Sequence, residues 1–549
     1  MRDVERATPA FMVMRSRARV PSLGAVGALL VSLPVALPLG YLVWLALGAS
    51  VPELWTGLVR AGAGMLMLRV ALMATGATLV AVALGAPWAW LVARTDVPGR
   101  RVFGWLGPLP LAIPPYVGAL VYITLLAPGG MLHTGLASLL GRSTFALPYP
   151  GVLYGPVGAA GVLGVFGAPY VFLNVHGALQ RLDPSLEDAA RGLGLGPVRV
   201  FRSVTLPLLR PAIFAGALLV WVYAWVDWGV VSLMRARTFT TVVRTYLIAG
   251  FSLSAAAGLS LVLVAIVWCV LIVQHRALGR ARYTQAGRGR RATRQTSLGR
   301  WRWLAFAFLV LAGALTLFIP LGTLLAQLTK LSISELGAFL LGQRGYVWNS
   351  LQVALAGSLA ALGLACLVGL RAWRRGTGGP ASLLLQAGYA VPGTVLGLSL
   401  VGLTLAVLPW LYGRPVLLLG FAYVVLFAAP TLQGVRAALA QVPANMEEAA
   451  RALGRGPLVA AVRVVGPLAG PGIAATWLLT FVLCLRELSA TVILRPAGFD
   501  TLPVRIWAHT MDVGPDPYAA AVALLLVVLV GVPWVVLLAR GPRGVTSTG

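Results

Sequence analysis

The sequence predicts an all-α integral membrane protein of about twelve membrane-spanning helices, arranged as two homologous six-helix halves that run in parallel. Composition carries the first part: of 549 residues, 59% are hydrophobic and only 11% charged, with a mean hydropathy of +0.88. Apolar runs long enough to cross a hydrocarbon core, which takes about 20 helical residues, recur along the whole chain. The two halves follow from a repeat. Residues 185–197 read Ser-Leu-Glu-Asp-Ala-Ala-Arg-Gly-Leu-Gly-Leu-Gly-Pro, and residues 445–457 read Asn-Met-Glu-Glu-Ala-Ala-Arg-Ala-Leu-Gly-Arg-Gly-Pro. The offset of 260 positions from Glu187 to Glu447 also carries Gly194 onto Gly454, Pro207 onto Pro467, Pro211 onto Pro471 and Ile213 onto Ile473 without a gap. A polar segment kept in register inside an apolar chain reads as two copies of one surface.

In the first half the candidate spans lie near residues 24–47, 68–93, 103–127, 152–177, 208–233 and 255–275. In the second they lie near 304–327, 350–370, 382–404, 415–432, 470–492 and 518–539. Gly and Pro punctuate many of them, as at Pro114, Pro169, Pro392 and Pro430, which suits tightly packed or kinked membrane helices. The chain therefore divides into a first repeat at 1–275, a basic linker at 276–303 and a second repeat at 304–549.

A formal charge of +28 would suit a nucleic-acid partner, but the arginines sit in short loops beside the spans, where they orient the chain instead. With a cytoplasmic amino terminus, residues 2–19, the turns at 94–101 and 371–375, both repeated segments and the tail at 540–543 fall on one side. So does the most basic stretch, 276–302, which reads as a cytoplasmic linker near anionic head groups; no nucleic-acid partner is expected. Arg235, Arg237 and Arg244 fall outside, against the rule. The basic stretch before the first apolar run lacks a clear cleavage site and reads as an uncleaved anchor. Cys269, Cys366 and Cys484 lie in different apolar runs and read as small buried filler, and the four histidines form no ligand-spaced pair. No metal ligands can be named.

The repeated segments carry helix punctuation. Ser185 and Asn445 are suitable N-caps, with Asp188 and Glu448 three residues later to complete a capping box. Ala189-Ala190 and Ala449-Ala450 keep one face low, and Gly194 and Gly454 end the helix and permit a sharp turn. Pro197 and Pro457 then start a second short helix, which Pro207 and Pro467 stop before the next span. A helix lying on lipid head groups would be basic with bulky apolar anchors. Glu187-Asp188 and Glu447-Glu448 make this one acidic, so a groove on another protein is the expected seat.

This segment resembles the EAA loop of ABC importer permeases: Glu-Ala-Ala, a Gly a few residues on and a Leu-Pro further down. The Leu-Pro is Leu206-Pro207 here, and the second copy has Gly466-Pro467 instead. The family glutamate aligns with Glu187 or Asp188, and with Glu447 or Glu448. The resemblance implies the type I importer permease fold. It also implies that each loop is a coupling helix seated in an ATP-hydrolysing subunit, with two such subunits per chain, in a bacterial inner membrane with both termini cytoplasmic. ATP and Mg belong to those partners. A phosphate-binding loop needs Gly-Lys-Ser/Thr, and the sole lysine is Lys330 in Leu-Thr-Lys-Leu, so this chain is not the ATPase and is not expected to be an enzyme or to bind a cofactor.

The same offset aligns Asp227 with Glu487, Arg235 with Arg495, Phe239 with Phe499 and Thr241 with Thr501. Carboxylates within a span usually face a bundle interior or an aqueous path. Asp227 lies about 24 Å of helix beyond Pro211, in the outer half of the membrane. Path-lining and structural pairing with Arg486, Arg235 or Arg495 both remain open. The flanking text, Asp-Trp-Gly-Val-Val-Ser-Leu from Asp227 and Phe-Asp-Thr-Leu-Pro-Val-Arg-Ile-Trp from Phe499, resembles the ferric-iron branch of these permeases. Permeases for thiamine, polyamines or phosphonates share much of it. In this family the resemblance implies that an external binding protein delivers the cargo. A gradient-driven secondary transporter also uses internal repeats, but it has no ATPase to dock, and the duplicated loop argues against it.

Overall fold

The computed structural model describes residues 23–48, 50–143, 151–248, 253–280, 295–375, 379–389 and 391–540. The basic stretch at 2–19, most of the 276–302 linker and the tail beyond Arg540 lie outside the described residues.

The described chain is helical, with one isolated bridge between Thr95 and Thr296. α1 (Leu23–Leu47) turns into α2 (Val51–Ala61), whose start is fixed by a reciprocal Ser50–Glu53 capping box. α3 (Ala63–Arg94) is followed by the short α4 (Arg100–Leu106), α5 (Pro115–Leu126) and α6 (Met131–Leu139). α7 (Pro156–Arg181) runs down to the first repeated segment, α8 (Pro184–Gly192) and α9 (Pro197–Val200). α10 (Leu206–Val226) runs back, and α11 (Gly229–Leu233), α12 (Phe239–Ile248) and α13 (Leu253–Arg280) complete the half. The second half repeats the plan. α14 (Arg302–Gly313) and α15 (Ile319–Leu328) are joined through a π turn, followed by α16 (Ile333–Gly342), α17 (Arg344–Arg375), α18 (Gly379–Tyr389), α19 (Gly393–Val407) and α20 (Pro409–Tyr412). α21 (Pro415–Leu439) leads to α22 (Ala444–Ala452) and α23 (Pro457–Ala460), then α24 (Gly466–Leu485), α25 (Ser489–Leu494), α26 (Leu502–Asp512) and α27 (Pro517–Arg540).

Among the described residues ten helical stretches are long and apolar enough to cross a membrane, or eleven if the bent pair α1–α2 is one span. Twelve were expected; the run near 24–47 counts only as part of the bent α1–α2 pair, and the run near 382–404 is lost at a proline. The run near 382–404 breaks ahead of Gly393, because Pro392 supplies no N–H and disfavours helix at Val391, leaving α18 and α19 as shorter pieces. Pro108, Pro110 and Pro114 interrupt the run near 103–127 as well, so the span there starts at Pro115 and extends to Leu139.

Helix association inside lipid relies on close packing and interhelical hydrogen bonds. α3 packs along α7, and α17 along α21. A Cβ on Gly164 of α7 would stand 2.7 Å from the Ala77 carbonyl oxygen, and one on Gly357 of α17 would stand 2.7 Å from the Tyr423 Cβ. Glycine is what lets these pairs approach.

The halves exchange their first helices. α1 packs on α18 and α19 of the other half, where the Ser399 hydroxyl donates to the Pro38 carbonyl, while the Tyr122 hydroxyl of α5 donates across to Leu315 at 2.8 Å. The Trp534 indole adds a bond to the Pro108 carbonyl at 3.0 Å. All three lie between halves, so the chain folds as one interlocked bundle. α8–α9 and α11–α12 lie at opposite ends of α10, and α22–α23 and α25–α26 at opposite ends of α24, with α11 packed on α26. Of the cysteines only Cys484 is buried: Cys366 is half-buried and Cys269 exposed, which corrects the reading of all three as buried filler.

Candidate functional site

Each repeated segment is a two-helix corner held by one buried acid. In the first, Glu187 is 3% exposed, and its Oε1 accepts the Thr205 hydroxyl at 2.8 Å. Arg94, from the end of α3, brings Nε to 3.7 Å from the same oxygen, and Arg191 reaches the other at 3.9 Å. Arg94 also donates to the Leu179 carbonyl at 3.0 Å, which ties α3, α7 and α8 together. In the second, Glu447 is 5% exposed and pairs with Arg374, from the end of α17, at 2.7 Å. The same guanidinium donates to the Pro457 carbonyl at 2.7 Å. Ala190 and Ala450 turn inward with these acids. Asp188, Ala189, Glu448 and Ala449 face out, and Arg191 pairs with Asp188 at 3.0 Å. The inward acids are therefore Glu187 and Glu447, and the outward acids Asp188 and Glu448.

Gly194 and Gly454 adopt φ of +82° and +80°. Each ends its helix in a Schellman turn: Gly194 N–H donates to Arg191 and Leu195 N–H to Ala190, with the same pattern from Gly454 to Arg451 and Arg455 to Ala450. Two expectations are corrected. The cap of α8 is Asp183, whose side chain accepts from the Ser185 N–H, and α22 starts after Pro443 with no side-chain cap, because both helices begin ahead of Ser185 and Asn445. Pro207 and Pro467 do not stop the second short helix. π turns at Phe201–Thr205 and Ala461–Val465 shift the bonding pattern just before each proline, so α9 and α23 continue into α10 and α24.

Sequence reasoning missed three parts of this corner. Leu193 and Leu453 project 83% exposed beside the turns; their identical place in both copies was the available signal. Arg94 and Arg374 come from distant helices. The far end of the linker is also tied here: Thr296 N–H donates to the Arg94 carbonyl at 2.8 Å, and Arg191 donates to the Thr296 hydroxyl at 3.1 Å. Asp96 accepts the Leu298 N–H at 2.9 Å and the Ser297 hydroxyl at 3.1 Å, bonds that hold its carboxyl below the usual carboxylate range.

The acids of the spans are helix caps. Asp227 Oδ2 accepts from Val230 N–H at 2.9 Å and Val231 N–H at 3.3 Å, and Oδ1 accepts the Tyr223 hydroxyl at 3.2 Å. Glu487 Oε1 accepts from Ala490 N–H at 2.9 Å. Each acid thus satisfies amides at the start of α11 or α25. Neither has an arginine at ion-pair distance among the described residues, and Arg486 donates instead to the Leu111 carbonyl of the other half at 2.8 Å. The aligned arginines differ. Arg235 holds φ of 54° and lies over Tyr154 at 5.2 Å, whereas Arg495 pairs with Asp500. Tyr154, Leu233 and Arg235 line one side of a cavity of about 240 Å³, and Thr510 to Gly514 of the other half line the other.

The family model described as binding-protein-dependent transport system inner membrane component matches this chain twice, at residues 81–278 and 355–540. The chain is 30% identical over 517 residues to the Fe(3+)-transport system permease protein FbpB 2 of Haemophilus influenzae, covering 92% of this chain and 96% of that one. It is 29% identical over 218 residues to the molybdenum transport system permease protein ModB of Escherichia coli, 39% of this chain and 91% of that one. It is 32% identical over 131 residues to the sulfate transport system permease protein CysT of Salmonella typhimurium, 24% and 44% of the two chains.

Proposed function

Because this chain belongs to the family of binding-protein-dependent transport system inner membrane components, we propose that it is the permease of a ferric-iron importer. As a member of the family it is the multi-pass, non-catalytic membrane part of an ABC importer: paired ATP-binding subunits hydrolyse the nucleotide, and an external binding protein delivers cargo. The observation that carries iron is the end-to-end similarity to a ferric permease, 92% of this chain against 96% of the relative; the molybdenum and sulfate relatives cited match shorter stretches.

The division at 275 and 304 makes each half one permease unit. Both repeated segments lie on the cytoplasmic side, with the amino terminus, linker and tail, and the other side receives the binding protein. α8 and α22 are the coupling helices, each seated in one ATP-binding subunit. Asp188, Ala189, Leu193 and their counterparts Glu448, Ala449 and Leu453 meet the partner, while Glu187 and Glu447 fasten each helix to the bundle. The π turns make α9–α10 and α23–α24 continuous levers, each joined to its coupling helix through the Gly194 or Gly454 turn. α10 is about 30 Å long at ~1.5 Å per residue, so movement at its cytoplasmic end reaches the capped helices α11 and α25 at the seam. Asp227, Glu487, Arg235 and Arg495 border the path there. Closure of the ATP-binding subunits acts only through its different affinity for the two arrangements of the bundle.

Proteoliposomes holding the permease, the ATP-binding subunits and the ferric binding protein test this reading. ATP-dependent uptake of radiolabelled ferric iron is expected. Uptake of thiamine, a polyamine or a phosphonate with their binding proteins, and none of iron, would overturn the cargo while leaving the permease.

A further inference from the structure

The described end of the linker, residues 295–301, is fastened to the turn that follows α3. Thr296 N–H donates to the Arg94 carbonyl at 2.8 Å, and Asp96 N–H donates to the Thr296 carbonyl at 3.3 Å, which makes the short parallel bridge between Thr95 and Thr296. Asp96 accepts the Leu298 N–H at 2.9 Å and the Ser297 hydroxyl at 3.1 Å, and Leu298 packs on the buried cluster that holds Trp88, Val92 and Phe103. Backbone pairing, a carboxylate and an apolar contact thus fix three consecutive residues, a stronger hold than a passing loop needs.

From that anchorage Thr296 reaches α8. Arg191 divides its guanidinium: one nitrogen donates to the Thr296 hydroxyl at 3.1 Å and the other to Asp188 at 3.0 Å. Thr296 also lines a cavity of about 10 Å³ with Arg94, Glu187, Arg191 and Thr205, so the linker hydroxyl, the inward acid and both arginines meet in one place. The outward acid Asp188 is therefore held through Arg191 by the linker. The second corner differs. Glu447 has Arg374, but Glu448 and Arg451, the counterparts of Asp188 and Arg191, are exposed and make no ion pair or side-chain hydrogen bond among the described residues. No linker residue stands beside them there.

We infer that Thr296, fastened by Asp96, is a positioning residue for the first coupling helix, so that the two seats offered to the ATP-binding subunits are unequal: α8 is pre-set and α22 compliant. This rests on the reading of α8 and α22 as coupling helices. A helix whose outward acid and arginine are already ordered loses less side-chain freedom when a partner seats on it. The duplicated segments are alike in sequence, and the difference between them comes from a part of the chain outside the repeat.

Hydrogen–deuterium exchange on the purified full chain in detergent, with no partner present, tests the inequality. The turn amides of Gly194 and Leu195 are compared with those of Gly454 and Arg455. The first pair is expected to exchange about tenfold more slowly, the effect of one or two net hydrogen bonds. Thr296→Val removes the hydroxyl and Asp96→Ala the anchorage, and each brings the first turn toward the second. Thr296→Ser keeps the difference, and the second turn is unchanged in all three. Equal protection of the two turns in the wild type, or a difference that survives the double variant Asp96→Ala, Thr296→Val in monodisperse protein, overturns the inference. Titration with the purified ATP-binding subunit, without nucleotide, is expected to give two affinities about tenfold apart, converging in the double variant; equal affinities in the wild type overturn the inequality of the seats. Turns that differ in protection while the subunit binds neither helix refute the coupling reading and keep the tether. Turns equally protected while the subunit binds both do the reverse.

Discussion

Replacing Arg374 with Met strands the buried carboxylate that fastens α22, the proposed second coupling helix, to the bundle. Removing one partner of a fully buried ion pair costs about 3–5 kcal/mol. Arg374 is 30% exposed against 7% for Glu447, so water re-solvates the stranded acid in part, and a loss of about 2–3 kcal/mol is expected. That lowers the seated population of α22 about 30- to 150-fold. The equivalent Arg94→Met is milder, about 1–2 kcal/mol, because Glu187 keeps the Thr205 hydroxyl and Arg191. The assay is the affinity of the purified ATP-binding subunit for the permease, with ATP hydrolysis by the complex followed in parallel. The double variant Arg374→Met, Glu447→Leu removes the stranded charge and recovers most of the binding. Equal affinity for wild type and Arg374→Met, or a larger loss from Arg94→Met, would refute the reasoning.

Gly194→Val or Gly454→Val forces a β-branched residue to φ near +80°, costing more than the ~1–2 kcal/mol of an ordinary left-handed residue; the protein inserts, and transport-linked hydrolysis falls. Asp227→Ala leaves two amides and a hydroxyl without their acceptor, about 1–3 kcal/mol for each group left buried, and lowers the unfolding temperature in detergent, whereas Asp227→Asn retains an accepting oxygen and most of the stability. The Asp96 carboxyl has a depressed pKa in the folded chain, so its stabilisation of the linker tether is present at neutral pH and is lost as pH falls through that lowered value. Asp96→Asn abolishes this pH dependence, read as protease cleavage near Thr296.

Local punctuation was legible in the sequence, and long-range anchoring was not. Gly194, Gly454, Pro197 and Pro457 act through their own backbone preferences, so their turns and helix starts could be placed from residue type alone. Which of two adjacent acids turns inward depends on Arg94 and Arg374, brought in by helices remote in sequence, so Glu187 and Asp188 looked equivalent until the bundle was assembled. The caps were misplaced for a nearer reason: Pro184 suits the first turn of a helix and moves the boundary ahead of Ser185. Asp227 and Glu487 were read as lying within spans running on to 233 and 492, yet α10 and α24 end at Val226 and Leu485. An acid three residues before an amide it accepts is a capping signal, hidden there by continuous apolar text. The stacking of Arg244 over Trp228 and Trp507, at 5.1 and 4.8 Å, had no local signature, since it exists only where the halves meet.

The central claim, that both repeated segments dock the ATP-binding subunits, is tested most directly by the two leucines that project from them. Single cysteines at Leu193 and Leu453, on a chain with Cys269, Cys366 and Cys484 replaced by Ser, are treated with a short bifunctional thiol reagent in the presence of the ATP-binding subunit. Each position is predicted to cross-link to that subunit, and in the otherwise unaltered chain Leu193→Glu or Leu453→Glu is predicted to abolish stimulated hydrolysis. Cross-linking at one position and not the other, or unimpaired hydrolysis in both glutamate variants, would contradict it.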